Sequence, residues 1–224
     1  MILTNRLFER NLPSREAKSI YIFCEGAKRE YQYFKYFREK DSRINVEIYK
    51  LHHHEDNSPL GLLSIAKKSI LKSEENPNPK FSFQENDEVW IVLDTDKDKN
   101  DSRKEQIKIV RQECSNKKDW FTVESNPCFE VWLYYHKNDQ IPNLKDNQVC
   151  KSWKELVNNS FEGGFDSRRH PIFIEEATKN AQKNYSVNNE NIPIIGTTGV
   201  FNLSKSILSL LANKIREVKK RVSL

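Results

Sequence analysis

The sequence contains no apolar run that approaches the roughly 20 residues needed to cross a bilayer. The segment from Met1 to Lys18 also lacks the apolar stretch and small-residue cleavage site of a secretory signal. Neither an internal repeat nor a low-complexity tract is present. These absences predict a soluble protein without a membrane partner.

Cysteine pairs of the C-x-x-C type are absent as well. The chain has four cysteines, which are widely spaced: Cys24, Cys114, Cys128 and Cys150. This spacing excludes a zinc ribbon or a dithiol redox motif, and it does not suggest a disulfide framework, so we expect a reducing cytoplasm. The sequence also lacks a G-x-x-x-x-G-K-[ST] phosphate loop and a G-x-S-x-G nucleophile motif.

What is present favours one compact domain. The chain has 224 residues, of which 37% are hydrophobic and 11% aromatic, too many for a disordered protein. The formal net charge of +5 permits contact with nucleic acid without requiring it. Five basic residues and one acid lie between Lys214 and Arg221. They indicate either a phosphate-binding patch or a solvated helix end whose cations suit the helix dipole.

The pattern of hydrophobic residues predicts an α/β protein. Short runs rich in β-formers predict four strands, at residues 19–24, 44–49, 89–93 and 120–123. Helical spacing predicts helices at residues 28–39 and 59–72, after Ser102 and around Trp132. This alternation favours a Rossmannoid parallel sheet flanked by helices.

The second half of the chain is more polar. Short helices are predicted at residues 151–158 and 173–183, and a longer final helix is predicted to be capped by Asn202. We therefore expect an N-terminal segment at 1–18, an α/β core at 19–136, and a helical or irregular C-terminal part at 137–224. That last part should pack on the core, so that the whole forms a single domain.

Three acidic residues follow two of the predicted strands. Glu25 ends the first strand, and Asp94 and Asp96 end the third. If the first strand lies between the second and the third, these loops meet at the carboxyl edge of the sheet, where open α/β sheets bind ligands. Asp94 and Asp96 are two residues apart and point the same way in extended chain, an arrangement that suits Mg²⁺.

The same loop has a second interpretation. Acidic and polar residues fall at the ligand positions of an EF-hand calcium loop, from Asp94 to Glu105. However, Lys99 occupies the position that needs glycine, and the preceding segment predicts a strand instead of a helix. Three consecutive histidines, 52–54, lack a further ligand that would support zinc.

Several segments resemble the RloB-like family. The matching features are the strand end Phe23–Gly26 with Glu30 after it, the turn Val92–Asp96, the segment Ser125–Leu133 and, more loosely, Ile192–Leu211. One departure is Arg29, where the family pattern usually has threonine. RloB-like proteins are similar to Toprim domains, which occur in topoisomerases, primases and OLD-type nucleases.

The resemblance implies a Toprim-like fold with a glutamate after the first strand and an Asp-x-Asp after the third. These map onto Glu25, Asp94 and Asp96. Glu130 either completes a second metal site or simply suits the dipole at a helix start. The resemblance also implies a defence role in bacteria or archaea, often beside a separate AAA/ABC-like ATPase.

From these features we predict a nuclease that requires Mg²⁺, or alternatively Mn²⁺, and acts in antiphage defence. Glu25 is the predicted catalytic residue, as base or second-metal ligand, and Asp94, Asp96 and Glu130 are the predicted metal ligands. Three further positions are predicted to contact phosphate or nucleic acid: Gly26, Ser125 and Asn126. Ser125 and Asn126 have a competing role as helix caps.

Two alternatives stay open at this stage. One is a non-enzymatic Toprim-like subunit that binds an ATPase partner or a phage trigger, and the other is nucleotidyl transfer of the primase type.

Tyr134 and Tyr135 would either stack on single-stranded bases or pack in the core.

Overall fold

A computed structural model of the chain describes residues 8–95, 102–143 and 149–221. The elements in these residues alternate as the sequence predicts through the first half of the chain. The strands are β1 (Lys18–Cys24), β2 (Ile44–Ile48), β3 (Glu88–Asp94), β4 (Trp120–Asn126) and β5 (Thr197–Thr198). The helices are α1 (Arg29–Lys35), α2 (Pro59–Ile70), α3 (Ser102–Ser115), α4 (Glu130–Tyr134), α5 (Cys150–Ser160), α6 (Ile174–Asn184) and α7 (Val200–Arg221).

The five strands form one curled, mostly parallel sheet in the order β2-β1-β3-β4-β5. The first four are parallel to one another, and β5 is antiparallel to β4. β1 therefore lies between β2 and β3, which is the arrangement that the argument for a shared site assumes. Because parallel strands run the same way, the ends of β1 and β3 reach the same edge of the sheet.

Helices cover both faces of the sheet, which explains why the central residues of β1 and β3 form continuous apolar runs. Ile20 and Ile22 face a large core built with α1 and with the helices from α4 onward. Tyr21 and Phe23 face a smaller core under α2 and α3. Tyr134 and Tyr135 are buried, so core packing accounts for both residues.

The C-terminal part of the chain packs on this sheet. Helices α5 and α6 confirm the two short helices that the sequence predicts. Helix α7 lies against both α6 and β4. No helix within the described ranges is long and apolar enough to span a membrane.

Two local predictions need correction, and one short strand was not predicted. Helix α1 ends at Lys35, and the chain continues as tight turns to Glu39, whose φ of 56° lies in the left-handed region. Asn202 does not cap the last helix, since that helix begins at Val200, whose N–H donates to Thr198 Oγ1 over 3.2 Å. The two-residue strand β5 was not predicted, because two residues are too few to show any periodicity.

A partly buried ion pair joins α3 to β4 and supports this arrangement. Arg111 donates from Nε and Nη2 to the two carboxylate oxygens of Glu124, over 2.5 Å each. The Glu124 side chain is almost fully buried. Its main chain also accepts a hydrogen bond from Gly199 N over 2.7 Å, so Glu124 links α3 to the segment that precedes α7.

We expect Arg111→Met to lower the free energy of unfolding by about 2–4 kcal/mol, because it leaves a buried carboxylate without its cation. Urea unfolding followed by circular dichroism measures the change. Lys108→Met on the same helix is the matched control, since Lys108 and its partner Glu105 are both exposed. Equal stabilities for the two variants would contradict this account.

Candidate acidic site at the carboxyl edge of the sheet

The site is organised by a contact between the ends of β1 and β3. Cys24, the last residue of β1, pairs in register with Val92 of β3. Beyond this pair, the Asp94 main-chain N–H donates to Glu25 Oε1 over 2.9 Å. Two of the four acidic residues that the sequence predicts for one site, Glu25 and Asp94, are thus joined directly.

Arg103 fixes this junction from the first turn of α3. Its guanidinium donates to Glu25 Oε1, and it also donates to the Asp94 carbonyl oxygen from Nη2 over 2.8 Å and from Nε over 3.1 Å. The side chains of Arg103 and Glu25 are only 8% and 7% exposed. A buried guanidinium therefore orients the Glu25 carboxylate and ties it to α3.

Glu30 brings a further carboxylate to the site and places it against Gly26. A Cβ atom on Gly26 would lie 1.7 Å from Glu30 Oε2, well inside van der Waals contact. The Glu30 carboxylate therefore occupies the space that any side chain at position 26 would need. This packing is the role that the structure gives Gly26.

Glu130 reaches the site from the start of α4, the helix that follows β4. The chain passes from β4 through a cis peptide bond between Asn126 and Pro127, and Glu130 is the first residue of α4. The Glu130 side chain is buried, and its Oε1 lies 3.5 Å from Nη1 of Arg29. Arg29 is the first residue of α1.

The acidic side chains are close enough to perturb one another. Burial, followed by the charges of Glu25, Glu30 and Glu130, raises the pKa of Asp94 well above its usual value. Burial also raises the pKa of Glu30 to about 7, with smaller contributions from Glu130 and Glu25. The carboxylates of these four residues thus form one electrostatic unit, which we call the acidic cluster: Glu25, Glu30, Asp94 and Glu130.

The acidic cluster is not arranged as a complete metal site. Within the described residues, no three His, Cys, Asp or Glu side chains are placed so that they could hold one metal ion. Asp96, the other predicted ligand of this loop, lies outside the described residues. The strand β3 that precedes Asp94 bears out the sequence argument against an EF-hand, which requires a helix there.

Ser125 and Asn126 are placed beside the site, and their side chains are engaged with the C-terminal part of the chain. Ser125 pairs in register with Asp94, and its Oγ lies 2.8 Å from Thr198 Oγ1. Asn126 Nδ2 donates to the Pro193 carbonyl oxygen over 2.6 Å. Neither side chain caps α4, whose N-terminus has no side-chain hydrogen bond, so the capping interpretation is wrong.

Sequence reasoning missed the two arginines and gave Glu30 no role in the site. Arg103 lies inside a capping-box pattern, Ser102-Arg103-Lys104-Glu105, that accounts for a helix start without any appeal to a site. In the sequence, Arg29 stands out only as a departure from the family pattern, with no role assigned to it. The available signal was the position of each arginine after a predicted acidic strand end, with Arg29 four residues after Glu25 and Arg103 seven residues after Asp96.

We expect Glu30→Gln to stabilise the protein at pH 8 and to change little at pH 5. The Glu30 pKa rises on folding from 4.5 to about 7, so the folded state binds the proton more tightly. The stability that this proton contributes is present below pH 4.5 and is lost as the pH rises through about 7. The gain at pH 8 should be at most about 3 kcal/mol.

Urea unfolding in EDTA at both pH values measures this effect. Glu85→Gln is the control, because Glu85 is exposed and lies away from the site. A Glu30→Gln variant with the same pH dependence as the wild type would show that Glu30 is not perturbed by its surroundings.

Comparison with known proteins identifies the family. A family model described as RloB-like protein matches residues 20–207, a range that includes the whole acidic cluster. No curated protein and no solved structure gives a significant match. Because the model covers most of the chain, the protein belongs to the RloB-like family.

Proposed function

We propose that this protein is a nuclease that uses Mg²⁺, or alternatively Mn²⁺, to hydrolyse phosphodiester bonds in DNA or RNA. The acidic cluster is the observation that carries the proposal. Burial, together with the charges of neighbouring carboxylates at the carboxyl edge of a parallel sheet, raises the pKa of Asp94 and of Glu30. Such mutual repulsion is unfavourable unless protons or cations compensate it.

The chemistry of the donor set fits a hard divalent cation. Carboxylate oxygens are the ligands that Mg²⁺ takes from proteins, usually one or two of them beside water and phosphate. Asp94 and Glu130 would hold the cation, together with Asp96. When bound, it would activate water and stabilise the charge that develops on the scissile phosphate.

The chain's own residues would orient this chemistry. Arg103 and the Asp94 N–H both donate to Glu25 Oε1, so the Glu25 carboxylate is held in one direction. In this fixed position Glu25 would orient or deprotonate the attacking water. Gly26 lies just after the end of β1, and Ser125 and Asn126 lie at the end of β4, so we propose all three for contacts with the substrate backbone.

The wider biological role follows from family resemblance and the sheet order. A parallel sheet with β1 between β2 and β3 and carboxylates at two strand ends supports a relationship to Toprim domains. On this basis we propose a cytoplasmic effector of antiphage defence that works beside a separate AAA/ABC-like ATPase.

One observation favours a different function, that of a non-enzymatic subunit. The buried pair between Arg103 and Glu25 satisfies the carboxylate within the fold, which is also how a purely structural glutamate behaves. In that case the protein would bind an ATPase partner or a phage trigger. Complex formation would then be unaffected by substitutions in the acidic cluster.

We expect Asp94→Asn to reduce Mg²⁺-dependent cleavage by roughly 100-fold or more, since it removes a charge at the reacting centre while keeping the side-chain shape. The Asp94 main-chain hydrogen bond to Glu25 is retained in this variant. Labelled single-stranded DNA, duplex DNA and RNA are incubated with Mg²⁺ or Mn²⁺, with and without the ATPase.

Asp119→Asn is the matched control. Asp119 immediately precedes β4 at the opposite, amino edge of the sheet, so this variant loses the same charge away from the acidic cluster. Full cleavage by Asp94→Asn would refute the assignment of the site. Absence of cleavage in the wild type with every substrate and cation would support the non-enzymatic alternative.

A further inference from the structure

Two guanidinium groups contact the acidic cluster within the described residues, and they differ in how firmly they are held. Arg103 is buried and makes three hydrogen bonds to Glu25 and to the Asp94 carbonyl. Arg29 is 37% exposed and approaches Glu130 at 3.5 Å without forming a hydrogen bond. Arg103 is therefore part of the framework of the site, whereas Arg29 is loosely held at its margin.

The Nη1 atom of Arg29 is unusual among buried hydrogen-bond donors. This atom is shielded from solvent, yet it has no hydrogen-bond partner among the described residues. A shielded guanidinium N–H without an acceptor costs free energy, which a suitable acceptor would recover. An acceptor group that entered beside Glu130 would meet this donor.

A phosphodiester is the ligand that fits this position. Four carboxylates would repel a nucleic-acid backbone, so a cation that can leave its present partner and face the substrate would add to the compensation that a bound metal supplies. A guanidinium binds phosphate oxygens through two parallel N–H donors, which a lysine cannot do. Arg103 cannot take this role without abandoning Glu25 and Asp94.

We propose that Arg29 is the phosphate-binding residue of this site, and that it leaves Glu130 to bind the backbone of the nucleic-acid substrate. This inference rests on the proposed nuclease function. It also assigns a specific role to the position at which this chain departs from its family pattern.

Equilibrium binding tests the proposal without relying on turnover. Fluorescein-labelled single-stranded DNA, duplex DNA and RNA are titrated by anisotropy, with Ca²⁺ in place of Mg²⁺, at several salt concentrations. We expect Arg29→Ala to weaken binding roughly tenfold and to reduce the slope of log K against log salt by about one. Arg29→Lys should keep the slope and lose part of the affinity.

Arg38→Ala is the matched control. The Arg38 side chain is 34% exposed and pairs with Glu47 over 3.0 Å, so it resembles Arg29 in exposure and charge but lies away from the acidic cluster. Its removal should leave both affinity and salt slope unchanged. If Arg38→Ala weakens binding as much as Arg29→Ala, the effect is one of net charge and the proposal is wrong.

A second pair of variants separates binding from folding. In EDTA, Glu130→Gln should raise oligonucleotide affinity several-fold because it releases the Arg29 guanidinium. The same substitution in an Arg29→Gln background should give a clearly smaller gain, which reflects only the lost repulsion by the Glu130 carboxylate. Thermal unfolding of each variant confirms that the chain is folded.

The outcomes distinguish this inference from the function on which it depends. Wild-type protein that binds no oligonucleotide under any of these conditions would refute both. Binding and cleavage by the wild type, with Arg29→Ala unchanged in affinity and salt slope, would refute only the role of Arg29. Equal gains from Glu130→Gln in both backgrounds would lead to the same conclusion.

Discussion

The pairing of β1 with β3 is the constraint on which the rest of the site depends. Parallel neighbours end at the same edge of a sheet, so an acid after each strand must share one small volume with the other. In this chain the Asp94 main chain contacts Glu25 directly, and Glu30 and Glu130 close in from two helices. The fold thus concentrates negative charge at strand ends that are fixed by sheet pairing, so these carboxylates cannot move apart.

The surrounding residues compensate part of that charge in three ways. Arg103 supplies a buried cation and hydrogen bonds to Glu25, and Arg29 supplies a second cation near Glu130. Gly26 makes room for the Glu30 carboxylate, whose pKa of about 7 allows it to carry a proton near neutral pH. None of these features strengthens the hydrophobic core, so stability alone does not account for them. A site that buries several charged groups at a cost in folding free energy is typically one that binds a ligand.

The elements that could be predicted from sequence are those with a strong periodic signal. β1 and β3 are buried on both faces, so their apolar runs were evident, and their ends correctly placed Glu25 and Asp94 together. Local sequence could not reveal β5, which has two residues and depends on β4 for its pairing. It also could not reveal the Arg103 contacts, because Arg103 and Glu25 are far apart along the chain and meet only after α3 packs on the sheet. For Ser125 and Asn126 the sequence left a choice between phosphate contact and helix capping, and it could not reveal that contacts with the distant C-terminal part engage their side chains.

Anomalous diffraction from crystals of the full chain grown with Mn²⁺ tests the central claim most directly. The account predicts an anomalous peak between the carboxylates of Asp94 and Glu130, at the carboxyl edge of the sheet. It further predicts that this peak is lost in crystals of Asp94→Asn grown under the same conditions. An empty cluster in the wild type at saturating Mn²⁺, or a peak that persists unchanged in Asp94→Asn, would contradict a cation-binding role for these residues.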